Sequence, residues 1–87
     1  MKQEEAKKEI SQKIKQDKEN TIGTNIRRLR KSRNIGQTQM AMKLQLMGID
    51  MTRETLVKIE RGIQHVQVAQ LRGIRNVLQC SYEDLLE

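Results

Sequence analysis

From Ile22 onward the apolar residues of the chain recur at helical intervals, and the breaks between them divide it into five helices. Ile26, Leu29 and then Ile35 mark the buried side of a first helix that runs to about Asn34, with Thr24 as its N-cap. Gly36 interrupts the pattern. A second helix, about Gln37 to Met47, presents Met40, Ala41, Leu44 and Met47 on one face, and Gly48 suits a left-handed C-terminal cap. Ile49-Asp50-Met51 reads as a short turn. Thr52 caps a third helix that ends at Gly62 and turns Leu56 and Ile59 inward. Residues Ile63 to Gln67 read as a loop. The fourth helix, about Val68 to Leu78, carries Leu71, Ile74, Val77 and Leu78 on its inner face. Ser81 caps a short fifth helix that buries Leu85, with Glu83 and Asp84 near the positive end of its dipole.

The first 21 residues differ. Met1 to Thr21 hold six Lys, five acids and only four apolar residues, which is too little to make a core. Helix propensity is nonetheless high there. Ala6, Ile10 and Ile14 recur every four residues, and Glu4 and Lys8 form an i,i+4 pair in the favourable order. Two readings stay open: a solvated helix or arm, and a narrow stripe that docks on the domain or on a second subunit. The division expected is a charged arm or helix over 1–21 and a folded domain over 22–87.

Composition narrows the function. At 87 residues the chain makes one small domain, too small for barrels or dinucleotide-binding folds. Seventeen basic against 11 acidic side chains give a net charge of +6, which suits a polyanionic partner. Tyr82 is the sole aromatic residue, an argument against binding single strands by base stacking. With one His and one Cys there is no zinc-ligand spacing, and there is no Gly-rich phosphate loop. The expectation is therefore no enzyme, no metal and no cofactor. Cys80 occupies an apolar position between two helices and reads as a small hydrophobe. A single cysteine fits a reducing cytoplasm, and no apolar run has the length of a membrane span or signal peptide.

Two helices joined by a short turn containing Gly, inside a basic all-α domain, form a helix-turn-helix arrangement. On the third helix the face opposite Leu56 and Ile59 carries Arg53, Glu54, Val57 and Lys58. Arg and Lys donate to guanine O6 and N7, Glu accepts from cytosine N4, and Val suits a thymine methyl. Without further context the same face is an ordinary solvated surface with a Glu54–Lys58 ion pair. Gln37, followed by Thr38 and Gln39, stands at the start of helix two, where free N–H groups suit a phosphate. Arg27, Arg28, Arg30, Lys31 and Arg33 circle the first helix, and Arg30 lies one residue beyond Leu29, near the buried side.

The segments Asn25-Ile-Arg-Arg-Leu-Arg30, Ile35-Gly-Gln-Thr-Gln-Met-Ala41, Thr52 to Gly62 and Leu78 to Leu86 resemble the phage-repressor/Cro-type (XRE-like) helix-turn-helix family. The likeness covers about three quarters of the chain, and the run Lys-Ile-Glu-Arg-Gly62 is its most specific piece. It implies an all-α, five-helix, lambda-repressor-like domain that binds double-stranded DNA; the charged N-terminal helix or arm read from composition would precede it. It implies base reading by Arg53, Glu54 and Lys58 and a backbone contact from Gln37, with Thr38 and Gln39 as further phosphate or base contacts. Thr52 is a cap that can also touch DNA. Arg61 and the 63–67 loop would follow the phosphate backbone, with Gln64 and His65 as donors there. The resemblance also implies an Arg30–Glu60 salt bridge locking helix one to the recognition helix.

The chain departs from the family pattern at Gly36, a weak N-cap, at Gln79, where Gly is frequent, and over Gln45 to Met51, which is longer than in compact members. The extra length implies an extended or bulged second helix. The functional expectation is a transcriptional regulator, a repressor acting as a homodimer on a palindromic operator. The competing class is an antitoxin or adaptor whose partner is a protein, bound through the N-terminal arm or residues 45–51. A third reading is a nonspecific DNA coater.

Overall fold

The structure, a computed structural model, describes residues 21–87. The arm or helix expected over 1–21, with its Ala6, Ile10 and Ile14 stripe, falls outside them apart from Thr21. The described residues form five helices and no strand: α1 over residues 21–32, α2 Gln37–Leu46, α3 Arg53–Glu60, α4 Val68–Leu78 and α5 Tyr82–Leu86. Ile26, Leu29, Met40, Ala41, Leu44, Met51, Leu56, Ile59, Ile74, Leu78 and Leu85 form one core fed by every helix.

Two helix boundaries depart from those the sequence predicts. Helix is already formed at residue 21, so Thr24 is an exposed residue within α1 and not its N-cap. Ile22 packs against the core, so the amphipathic face of α1 begins before the first fully buried position. Helix α2 ends at Leu46, and Met47 is 45% exposed rather than inward. The extra residues therefore lie in the α2–α3 connection and do not extend the helix. Met51, assigned to a turn, is buried. It directly precedes the Thr52 N-cap, and Leu56 is the fourth helical residue, the two positions of a hydrophobic staple. Gln45 Nε2 donates to Met51 O at 2.7 Å and Gln70 Nε2 to Asp50 O at 3.1 Å, so the end of the long connection that leads into α3 is pinned from both α2 and α4. On α4, Leu71 and Val77 are only half-buried.

Four helix ends use one device. Asn34, Gly48, Gly62 and Gln79 each take a left-handed conformation, with φ of 57°, 78°, 74° and 54°. In each case the next residue donates its N–H to a carbonyl five residues back: Ile35 to Arg30, Ile49 to Leu44, Ile63 to Lys58 and Cys80 to Arg75. This ties off carbonyls that the helix leaves unpaired. Gln79 holds the family's usual glycine conformation with a side chain that disfavours it. Gln79→Gly is expected to stabilise the domain by about 1 kcal/mol, read as a raised midpoint in urea with unchanged slope. A lower midpoint would show that the Gln79 side chain contributes more than its backbone costs.

Helix α5 is closed by a capping box: Asp84 N–H donates to Ser81 Oγ at 3.1 Å and Ser81 N–H to Asp84 Oδ2 at 3.0 Å. The bond from the Ser81 backbone, and then that from its hydroxyl, hold the Asp84 carboxyl below its ordinary value of 3.8. Asn25 Nδ2 donates to Leu85 O at 3.0 Å and so fastens α1 to α5. Cys80 is half-buried against the core, and burial raises its thiol above the usual value.

Candidate nucleic-acid interface

Helix α3 is short, and it starts cleanly because Thr52 Oγ1 accepts from Thr55 N–H at 3.1 Å. Eight residues make a rod of about 12 Å, close to the width of the DNA major groove. Its inner side buries Leu56, Ile59 and Glu60. Its outer side carries Arg53, Glu54 and Lys58, all exposed, and Val57, half-buried.

Glu60 is buried and accepts three hydrogen bonds. Arg30 grips it with two bonds, Nε to Oε2 at 2.8 Å and Nη2 to Oε1 at 3.0 Å. Gln37 Nε2 adds a third at 3.2 Å to Oε1. The Arg30 and Glu60 side chains are 7% and 2% exposed. A bidentate geometry with the remaining valences occupied is what a buried ion pair requires. Arg30 Nη1 also donates to Ile35 O at 2.8 Å, which fixes the α1–α2 bend. One network thus ties α1, the start of α2 and the end of α3 together. The Gln37 amide, expected at a phosphate, points its nitrogen into this network and aligns α2 with α3.

Two concavities flank the outer ridge of α3 formed by Val57 and Arg61. The first, of about 370 Å³, lies between α1, the start of α2 and α3. It is lined by Arg27, Lys31, Gln37 and Arg61 beside the Arg30–Glu60 pair. Glu60 is neutralised by Arg30, so the surplus here is the positive charge of Arg27, Lys31 and Arg61. In the sequence Arg27 and Lys31 are two of five basic residues that circle α1. Their i,i+4 spacing on α1, on the side of Arg30, is the signal that groups them. The second concavity is bounded by Arg53, Glu54, Val57, Lys58, Arg61 and Ile63.

Thr38 and Gln39 are exposed at the start of α2. Gln39 Oε1 accepts from Gly36 N–H at 3.4 Å, half of a capping box at a position where Gly36 has no side chain to complete it. Gln64 and His65 are exposed after α3 and line a small hollow with Ile22, Gly23, Ile59 and Val66, apart from both concavities beside Val57. Among the described residues no helix is long and apolar enough to cross a membrane.

A helix-turn-helix family model matches residues 26–85. No curated protein and no solved structure matches the chain. The matched span runs from the buried Ile26 of α1 to the buried Leu85 of α5, so it reaches into all five helices and includes the Arg30–Glu60 pair and the outer row of α3. The chain belongs to the XRE-type helix-turn-helix family of DNA-binding transcriptional regulators.

Proposed function

We propose that this protein is a sequence-specific repressor that binds a palindromic operator as a homodimer, with α3 in the major groove. The observation that carries this reading is the outer row of α3, where Arg53, Glu54, Val57 and Lys58 stand together beside a basic concavity. Arg53 and Lys58 supply donors for guanine, Glu54 an acceptor for cytosine, and Val57 an apolar face for thymine. Arg27, Lys31 and Arg61 neutralise phosphates of the strand beside α1, and the start of α2, with Gln37, Thr38 and Gln39, lies against the same strand. Thr52 caps α3 at the groove edge, while Gln64 and His65 reach toward the other strand. Two copies on a two-fold axis would read half-sites about one helical turn apart.

A protein-partner reading has one observation in its favour. Met42 and Leu46 are exposed on the second half of α2 and Met47 just beyond it, leading into the long connection to α3. Selection from random duplexes at physiological salt, run on the wild type and on Arg53→Ala/Glu54→Ala, separates the readings. The expected result is an enriched palindrome that the double variant loses or changes. Folded protein with no enrichment favours the protein partner. Binding that falls steeply with salt but shows no sequence preference favours a coater.

A further inference from the structure

We infer that Ile63, together with Val57, reads the 5-methyl group of a thymine in the major groove. This rests on the DNA-reading assignment of α3 and adds a specificity residue to it. The starting observation is an inconsistency among the four helix ends. Each has an apolar residue directly after the left-handed position, and such a residue ordinarily folds back onto its own helix. Ile35, Ile49 and Cys80 do so and pack against the core. Ile63 does not: it is 64% exposed. The fold therefore places a large apolar side chain in water at the one helix end that belongs to the reading element.

Its position is held by the backbone. Ile63 N–H donates to Lys58 O at 2.9 Å, and Gly62 N–H to Ile59 O at 3.0 Å. A β-branched side chain on such a turn has few rotamers to retreat into. Ile63 borders the concavity on the outer side of α3, which it shares with Val57, Arg53, Glu54, Lys58 and Arg61. The hollow therefore combines two branched apolar side chains with three cations and one acid.

That combination selects its ligand. A purely apolar ligand would have to desolvate the surrounding cations. A bare phosphate would gain nothing from Ile63 and Val57. A thymine in duplex DNA satisfies both demands, because it is the base whose groove edge carries a methyl group and its backbone is anionic. Ile63, the first residue of the 63–67 loop, then meets a base edge instead of the phosphate backbone.

Thymine-to-deoxyuridine replacement tests this, since it removes the methyl group and keeps the hydrogen-bonding edge. Each thymine of the selected operator is replaced singly, and affinities are measured by fluorescence anisotropy for wild type, Ile63→Ala and Val57→Ala. Thermal melts confirm that the exposed Ile63→Ala variant remains folded. At one thymine of each half-site, uracil is expected to weaken the wild type about fourfold, the worth of one buried methyl-sized group. Ile63→Ala is expected to lose a similar factor on the thymine operator and nothing further on the uracil one. If operator binding persists but uracil costs Ile63→Ala as much as wild type at every position, the Ile63 assignment is overturned and the reading of α3 stands. If no duplex is selected at all, the DNA-reading assignment fails and takes this inference with it.

Discussion

Arg30→Ala is expected to destabilise the domain by about 3–5 kcal/mol, enough to unfold much of the population of so small a protein. The effect comes from what is left behind more than from what is lost. The Glu60 carboxylate, 2% exposed, would keep one amide donor from Gln37 and no countercharge. Ile35 O would lose its bond from Arg30 Nη1 as well. Glu60→Ala is expected to cost a comparable amount, by stranding the guanidinium. Replacing both, as Arg30→Met/Glu60→Leu, should recover a large part of the loss, because a buried ion pair repays its desolvation only narrowly. Recovery should be incomplete, since Ile35 O and the Gln37 amide each lose a partner. Urea denaturation followed by circular dichroism measures all three variants. A loss below about 1 kcal/mol for Arg30→Ala would mean that the pair behaves as a solvated surface bridge.

How much of this was legible in the sequence depended on the range of the interaction. Helices α3, α4 and α5 are bounded by local signals: Thr52 and Ser81 as caps, Gly62 as a left-handed stop, and apolar spacing within each. Those signals act within a few residues and appear as read. Thr24 misled because a capping residue is recognised by type, whereas the helix start depends on how far the packed face extends. Ile22 extends it one turn further than Ile26 does. Met47 fitted the i+7 interval from Met40, but a periodic count does not know where the helix stops, and Gly48 stops it just beyond Leu46. Met51 has no periodic partner and is visible only through its staple spacing to Leu56.

The candidate site was less legible. Arg30 and Glu60 are thirty residues apart, and no local rule couples them; only the family resemblance suggested the pairing. That Gln37 donates to Glu60 depends on how α2 meets α3, which spacing alone does not encode. By contrast, the grouping of Arg27 and Lys31 beside Arg30 follows from their spacing on α1, and only their meeting with Arg61 across a concavity depends on the assembled fold. The exposure of Ile63 reflects which helix ends face the core and which face solvent, a property of the assembled fold.

Gly23→Ala is expected to destabilise the domain by about 2 kcal/mol and to weaken operator binding beyond what the lost stability explains. In an unconstrained helix the substitution would gain nearly 1 kcal/mol of propensity. At Gly23 that gain is outweighed. A Cβ there would collide with Ile59 O and would lie 2.6 Å from Glu60 O, both backbone atoms at the end of α3. Backbone cannot swing aside as a side-chain tip does, so α1 must move off α3 as a unit. That shift would carry Arg27 and Lys31 away from Arg61 and stretch the Arg30–Glu60 bonds. Gly36→Ala is the control. Nothing lies within 4 Å of its Cβ, and its backbone is extended, so any loss there should stay within a few tenths of a kcal/mol. The comparison needs urea midpoints for both variants and operator affinities at a temperature where both are folded. If Gly23→Ala binds the operator like wild type under those conditions, the α1–α3 approach serves stability alone, and the phosphate seat assigned to Arg27, Lys31 and Arg61 does not depend on it.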